Sequence, residues 1–398
     1  ISEQGVESGA KTRWFTVKIL ISSTYFEPYR SGLSVYAFRL AEGLANLGHP
    51  VRVLTSQYQP DLPAHEELGA LQITRVPVAR RLSKGVLMPE FQRQAAQLVG
   101  WADVVNPHLP QFEAIQLSRL CRRAGKPLLV TYHCDLVMKG GWFDHLAGWG
   151  TTQLQRPVLK QAGMIVQNTR DYAESSPQLK HWLAKVHEVP TPVSAKALST
   201  AEVQAFKEKF GLTDNIKILG LAGRAAAEKG YEYLFAALPQ ILKKYPETVV
   251  VHGGGWQSVI GEEEYQRKIE ALAAPFGAHW RQLGFLPDDA FHAFLAASDV
   301  LVFSSLNATE SFGIVQIEAM LQGTPIVATD LPGVRQPVLQ TGFGKIIPAR
   351  DPRALAEAVC ALLENKPASD RVDDYLAQFQ TGAVARKYEN LFEQLIHE

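Results

Sequence analysis

Apolar positions along the chain fall into short runs, separated by stretches in which they recur at helical spacing. Val17-Lys-Ile-Leu-Ile-Ser22 is the first run, and after Tyr29-Arg-Ser-Gly-Leu-Ser-Val-Tyr36 a helical pattern runs to Leu47 and stops at Gly48. Val51-Arg-Val-Leu-Thr55 is the next run, so the opening reads as strand, Gly loop, helix, strand: a right-handed βαβ unit. The alternation continues, with strands expected at 71–76, 103–106, 127–132, 163–167 and 186–189 and helices near 89–100, 112–124, 146–161 and 169–175. At Val189-Pro-Thr-Pro-Val193 two prolines in an extended setting suggest a hinge.

Past a helix at 200–210 the alternation restarts. Strands are expected at 217–222, 248–252, 279–283, 299–303, 325–328 and 343–347, with helices at 230–244, 262–274, 288–297, 313–322 and 352–364. In the tail, Val384, Tyr388, Leu391, Phe392, Leu395 and Ile396 are spaced for one last helix. The fold class is therefore α/β, as two doubly wound parallel-sheet domains facing across a cleft. The division expected is a weakly structured leader at 1–15, domains at 16–190 and 191–377, and a closing helix at 378–398. Ligands of such sheets bind at the carboxyl ends of strands, so candidate side chains should follow strands.

Asn307–Met320 is the richest such stretch. It follows the apolar run Asp299-Val-Leu-Val-Phe303 and a Ser/Asn/Thr-rich turn, then becomes helical from about Gly313. Ile314, Val315, Ile317 and Leu321 mark an apolar arc at 100° per residue, and Glu318 falls inside it. A carboxylate there faces the protein and needs a donor. Glu310 sits just before the helix, whose unpaired N–H groups and partial positive charge suit a phosphate. A packed helix with one partly exposed Glu is the plain alternative.

Composition removes several functions. At 398 residues, 46% hydrophobic and 20% charged, the chain is globular and long enough for two domains. Lys+Arg and Asp+Glu balance at 40 each, so no basic field argues for nucleic acid. Cys121, Cys134 and Cys360 form no CxxC pair, which favours a reducing compartment over disulfides or structural zinc. No apolar run reaches the ~18–20 residues of a membrane span and no signal-peptide core is evident, so a cytoplasmic place is expected. Ile1 implies a trimmed or processed start.

Other candidates follow strands too. Gly223-Arg224 comes after 217–222, and Glu228-Lys229-Gly230 opens the next helix; two cations at a strand-to-helix turn suit a diphosphate. The Gly-Lys-Ser/Thr ending of a P-loop is missing, and the alternative is an ordinary solvated loop. Ser31-Gly32 could bring backbone N–H groups to a phosphate or could be a plain turn, and the G-x-G-x-x-G fingerprint is absent. His133 ends the 127–132 strand in Thr-Tyr-His-Cys-Asp135, where it could bond a sugar hydroxyl or serve the fold. His252-Gly-Gly-Gly-Trp256 resembles an esterase oxyanion loop, but no G-x-S-x-G elbow exists, so it reads as a flexible turn near the cleft. No D-x-D triplet occurs, which favours metal independence. Trp142, Phe143 and Trp149 with Lys139 and His145, and Arg80, Arg81 and Lys84 beside Val86-Leu-Met88, suggest an acceptor or membrane-touching surface, or half-buried helix faces.

Taken together, residues 17–397 resemble the retaining GT-B glycosyltransferases of family 4, whose two domains are Rossmann-like. The most specific element is Glu310-(seven residues)-Glu318 within Glu-Ser-Phe-Gly-Ile-Val-Gln-Ile-Glu-Ala-Met. It is supported by Gly223-Arg224 with Glu228-Lys229-Gly230, by Asp299–Ser305, and by Gly323-Thr-Pro-Ile-Val-Ala-Thr329. The resemblance implies a nucleotide sugar held mainly by the second domain, with no cofactor and no metal, and a UDP-sugar favoured over a GDP-sugar.

The same resemblance assigns roles. Arg224 and Lys229 would neutralise the leaving diphosphate, Glu318 would take the ribose hydroxyls, and Glu310 would meet the donor sugar. Backbone N–H groups around Phe312-Gly313-Ile314 would hold phosphate beside Gly223, and Gly284-Phe285-Leu286 would border the base. From the first domain Gly32 would approach the diphosphate and His133 the sugar, and the closing helix would cross back to that domain. Acceptors implied are a glycan, lipid-linked sugar or small molecule, in cell-envelope or extracellular polysaccharide assembly, with peripheral contact at the inner face of the membrane left open.

Departures from the family pattern are Ser31-Gly32 for Gly-Gly, Gln336-Pro337 for Pro-Glu, and Thr191-Pro192 for Asn-Gly. A GT-B-like sugar-nucleotide epimerase or phosphorylase, or a non-catalytic nucleotide-sugar binder, is the alternative.

Overall fold

The computed structural model describes residues 16–82, 85–136, 154–194, 196, 198–256, 262–368 and 371–398. Its first sheet has eight strands: β1 (Ile19–Ser22), β2 (Val51–Gln57), β3 (His65–Leu68), β4 (Leu71–Pro77), β7 (Val104–Leu109), β8 (Leu129–Tyr132), β9 (Met164–Gln167) and β10 (Val186–Glu188). A separate hairpin pairs β5 (Arg80–Leu82) with β6 (Gly85–Leu87). The order across the sheet is β10-β9-β8-β7-β1-β2-β4-β3, parallel throughout except for β3 at the edge.

The second sheet is built from β11 (Lys217–Ala222), β12 (Thr248–Gly253), β13 (Trp280–Gly284), β14 (Val300–Phe303), β15 (Ile326–Thr329) and β16 (Gly344–Ile347). It is parallel, in the order β13-β12-β11-β14-β15-β16. Both sheets therefore reverse winding once, between β1 and β7 and between β11 and β14. That is where a doubly wound sheet opens a crevice.

Burial on both faces explains why the strands read as apolar runs rather than alternations. In β1, Ile19 and Ile21 enter one core and Leu20 the other; in β14, Leu301 and Phe303 oppose Val300 and Val302. The β3 strand, His65-Glu-Glu-Leu68, is largely exposed and highly charged, so its sequence carries no apolar signal and it was not expected. The short helix α11 (Gln336–Thr341) was likewise unexpected.

Helix α1 (Gly32–Asn46) starts on a capping box, Ser31 and Ser34 each holding the other's backbone N–H. It packs against α14 (Thr381–His397), which carries Val384, Ala385, Tyr388, Leu391, Phe392 and Leu395 into the first domain's core. The closing helix thus crosses back, as the resemblance implied. Where the chain returns, it lies beside the outward crossing: Val193 N–H bonds Phe379 O at 2.7 Å, and Val193 bridges Gln380. Among the described residues no helix is long and apolar enough to cross a membrane.

Candidate active site

Apart from Gly284-Phe285-Leu286, which come at the end of the edge strand β13, the second domain's candidates follow its two central strands, at the switch point. After β11, Gly223 adopts φ +110°, and its N–H bonds Gly253 O at 3.0 Å. Gly223 O lies 2.9 Å from His252 Nε2; a carbonyl only accepts, so that nitrogen carries the proton. Burial pushes the His252 imidazole down to about 4, leaving it neutral. Gly254, at φ +148°, sits so close that any Cβ would strike the Gly223 backbone. His252-Gly-Gly-Gly255 is therefore no flexible turn: it is a packed brace that fixes the turn bearing Arg224.

Two motifs some eighty residues apart are zipped together beside it. Leu306 N–H bonds Glu228 O at 2.9 Å, and Ser304 Oγ donates to Lys229 O at 2.9 Å. Gly230 allows the approach, since a Cβ there would lie 2.5 Å from Ser304 O. The outcome is a Lys229 Nζ–Glu310 Oε2 ion pair of 2.6 Å, with the two side chains only 17% and 19% exposed. The ammonium also stands 5.1 Å from the Phe303 ring centroid. Arg224 lies beside them, its Nη2 3.6 Å from Glu228 Oε1.

Helix α10 (Ile314–Leu321) begins directly after this pair. Its N-cap is Gly313 at φ +85°, and no side chain caps it. The Phe312 ring is buried and stacks on Phe379 at 5.7 Å, so only its backbone can serve a ligand. Glu318 is buried, as its place in the apolar arc required. Its donor is Arg39 of α1, Nη2 to Oε1 at 2.8 Å, a partner 279 positions away that no local pattern reveals.

Gly284, at φ +69°, precedes Phe285, which is 65% exposed, while Leu286 turns into the core. Of that trio only the Phe285 side chain is open to a ligand.

First-domain residues reach this loop cluster from the other side. Tyr172 Oη is 2.8 Å from Ala308 O. Asp171 accepts from Arg335 Nη2 at 2.6 Å, Arg335 Nε at 3.0 Å, and both Gly333 N–H and Gln336 Nε2 at 2.9 Å. Burial alone would raise the Asp171 carboxyl; these donors outweigh it and hold it below the usual carboxylate range. Sequence reasoning missed Asp171, Tyr172 and Arg335, because each matters only through a partner on the other domain.

His133 follows β8, buried, with Nε2 2.9 Å from Nδ1 of His108 in β7. His108 Nε2 in turn meets Asn106 Oδ1 at 3.2 Å. Asn106 and His108 were also missed, although two polar residues inside an apolar run are a readable signal. Gly32 is exposed at the start of α1. Among the described residues, neither His133 nor Gly32 bonds to the Lys229–Glu310 pair. Arg80 and Arg81 lie on the β5–β6 hairpin. Lys84, Lys139, Trp142, Phe143, His145 and Trp149 lie outside the described residues, as does the leader.

The family model for glycosyl transferases group 1 matches residues 202–379, and that for the glycosyl transferase 4-like domain matches 31–192. A D-inositol 3-phosphate glycosyltransferase from Xylanimonas cellulosilytica is 30% identical over 83% of this chain and 83% of its own. Among solved structures, sucrose-phosphate synthase from Thermosynechococcus elongatus superposes with a TM-score of 0.76 at 20% identity, covering 96% of this chain and 99% of its own. Anabaena HepE in complex with UDP-glucose gives 0.74 at 17% identity, covering 95% and 100%. With both halves matched in order by the family models, and a relative 30% identical over most of both chains, the chain belongs to the group 1 glycosyltransferases and is an enzyme of the GT-B fold.

Proposed function

We propose that the enzyme is a retaining, metal-independent glycosyltransferase that moves a hexose from a nucleotide sugar to an acceptor hydroxyl. The observation that carries this is the convergence of Lys229, Glu310, Arg224 and the uncapped start of α10 at one crevice. Two cations and a helix start supply fixed positive charge where a diphosphate would leave, which is the main electrostatic demand of the reaction. Glu318, oriented by Arg39, would take the ribose hydroxyls with its second oxygen. Glu310, held by Lys229, would face the donor sugar; Gly284-Phe285-Leu286 would border the base and Gly32 the diphosphate.

In the step itself, the acceptor oxygen bonds to the anomeric carbon on the face the diphosphate leaves. The C–O bond to phosphate breaks with its electron pair going to the phosphate oxygen, which receives the acceptor's proton. No separate base is then required. Closure of the cleft, through contacts such as Asp171–Arg335, would complete the site.

A UDP-sugar is the favoured donor, supported by the HepE complex, with a GDP-sugar the next choice. Inositol-modifying relatives support a small or lipid-linked hydroxyl acceptor, and contact with a cytoplasmic membrane face belongs to the same reading. The test is a thermal-shift series with UDP-, GDP- and ADP-sugars, followed by product analysis. One donor should raise the melting temperature and give the anomer it started with. No shift with any of them, or an inverted product, would overturn the proposal.

A further inference from the structure

The first domain's side of the cleft holds a hydrogen-bond chain whose direction can be worked out atom by atom. Its anchor is Leu129 O, a backbone carbonyl that can only accept. Asn106 Nδ2 lies 2.9 Å from it and 2.9 Å from Thr131 Oγ1, which fixes which end of the Asn106 amide is nitrogen. Asn106 Oδ1 must therefore accept, and its neighbour at 3.2 Å, His108 Nε2, must donate. His108 is completely buried and its imidazole is pushed well below its ordinary value by that burial and by the neighbouring ring. With its one proton on Nε2, His108 offers a bare lone pair at Nδ1. Nε2 of His133, 2.9 Å away, must then carry the proton.

His133 is neutral too, pushed down to about 3 by burial, so its Nδ1 is bare. Among the described residues that nitrogen has no hydrogen-bond partner, and it is not among the sealed, unpartnered side-chain atoms; His133 itself directly follows the carboxyl end of β8. Tyr36 packs edge-on against both rings, and its hydroxyl is engaged with Tyr388, so neither brings a carboxylate that would favour an imidazolium.

We infer that His133 presents Nδ1 to the cleft solely as a hydrogen-bond acceptor, that Asn106 and His108 are positioning residues which fix this tautomer, and that the position selects a sugar bearing a hydroxyl there over one bearing a carboxylate. A hydroxyl can donate to a bare nitrogen, whereas a carboxylate has no proton to give and would set two lone pairs against each other. The sugar half of this inference rests on the function proposed above; the tautomer half does not.

The experiment separates the two. Long-range 15N–1H spectra of the unliganded, histidine-labelled enzyme should show His133 protonated at Nε2 and bare at Nδ1; a protonated Nδ1 overturns the chain of argument. His108→Leu removes the acceptor, so both His133 tautomers should appear and kcat/KM should fall about tenfold or more, with the nucleotide thermal shift retained. His108→Asn places an amide oxygen near the Nδ1 position and should restore the tautomer and bring activity within about threefold. An unchanged tautomer and rate in His108→Leu, or no rescue by His108→Asn, overturns the positioning role. Neutral hexose donors should exceed the matching uronates by about tenfold or more, and a preference for uronates overturns the selection. No shift with any nucleotide would remove the sugar assignment while the spectra still decide the tautomer.

Discussion

The two sides of the cleft hold polar side chains in opposite ways. In the second domain Lys229, Glu310 and Arg224 are charged and partly exposed; Lys229 meets Glu310 across two loops, and Arg224 meets the buried Glu228 within one. In the first domain Asn106, His108 and His133 are neutral, buried, and joined in a single hydrogen-bonded line. Charge suits a leaving group that carries charge away; a fixed lone pair suits a hydroxyl whose orientation must be read. The price of the neutral arrangement is sensitivity to protons rather than to salt.

Breaking the link between the two sides should have the largest effect. Arg39→Met strands Glu318 as an unpaired buried carboxylate and is expected to cost about 3–5 kcal/mol, read by urea denaturation. Bound nucleotide should recover part of it through the ribose hydroxyls. Next come the ionic residues: Lys229→Ala, Glu310→Ala or Arg224→Ala should each lower transfer at least ~10²-fold with the fold intact, by circular dichroism. Near-normal turnover in all three would leave the charged half of the comparison without a function.

On the neutral side, Glu113 just before helix α3 (Ala114–Ala124) is buried, its carboxyl is pushed up to about 7 by that burial, and Oε2 has no partner. A raised carboxyl favours the protonated native state, so stability is lost as pH rises from the unfolded value through 7. Glu113→Gln should accordingly stabilise the enzyme at pH 8 by roughly 1–3 kcal/mol and do little at pH 4. The histidines act with the opposite sign. Their depressed values mean that below the ordinary histidine range the unfolded chain takes up protons which the native state refuses. Stability should fall by up to about 1.4 kcal/mol per pH unit for each, from pH ~6.5 downward, and His108→Asn should remove one histidine's share of that slope.

How much of this was legible depended on sequence distance. Asp299–Phe303 and Val17–Ser22 announce buried strands, and Gly223-Arg224 with Glu228-Lys229-Gly230 could be placed at a strand-to-helix turn because every signal was local. Glu318 showed that it needed a donor but not that Arg39 would be the one. The Asp171–Arg335 clamp left no trace, since a charged residue with a distant partner looks like any solvated one. His65–Leu68 was hidden for another reason: an edge strand is held by backbone pairing and needs no apolar face. The Gly-rich turn after β12 was misread as flexible because glycine permits close packing as readily as freedom.

The side-by-side crossing of the chain at Val193 and Phe379–Gln380 has a mechanical consequence. A single linker would leave the domains free to swing, twist and slide. Two covalent strands tied together by a backbone bond restrict twist and translation more than one strand would, and so favour rotation about that line. Residues far from that line then travel furthest: the same small angle that barely stirs Val193 governs how far the two cleft rims part to admit a sugar.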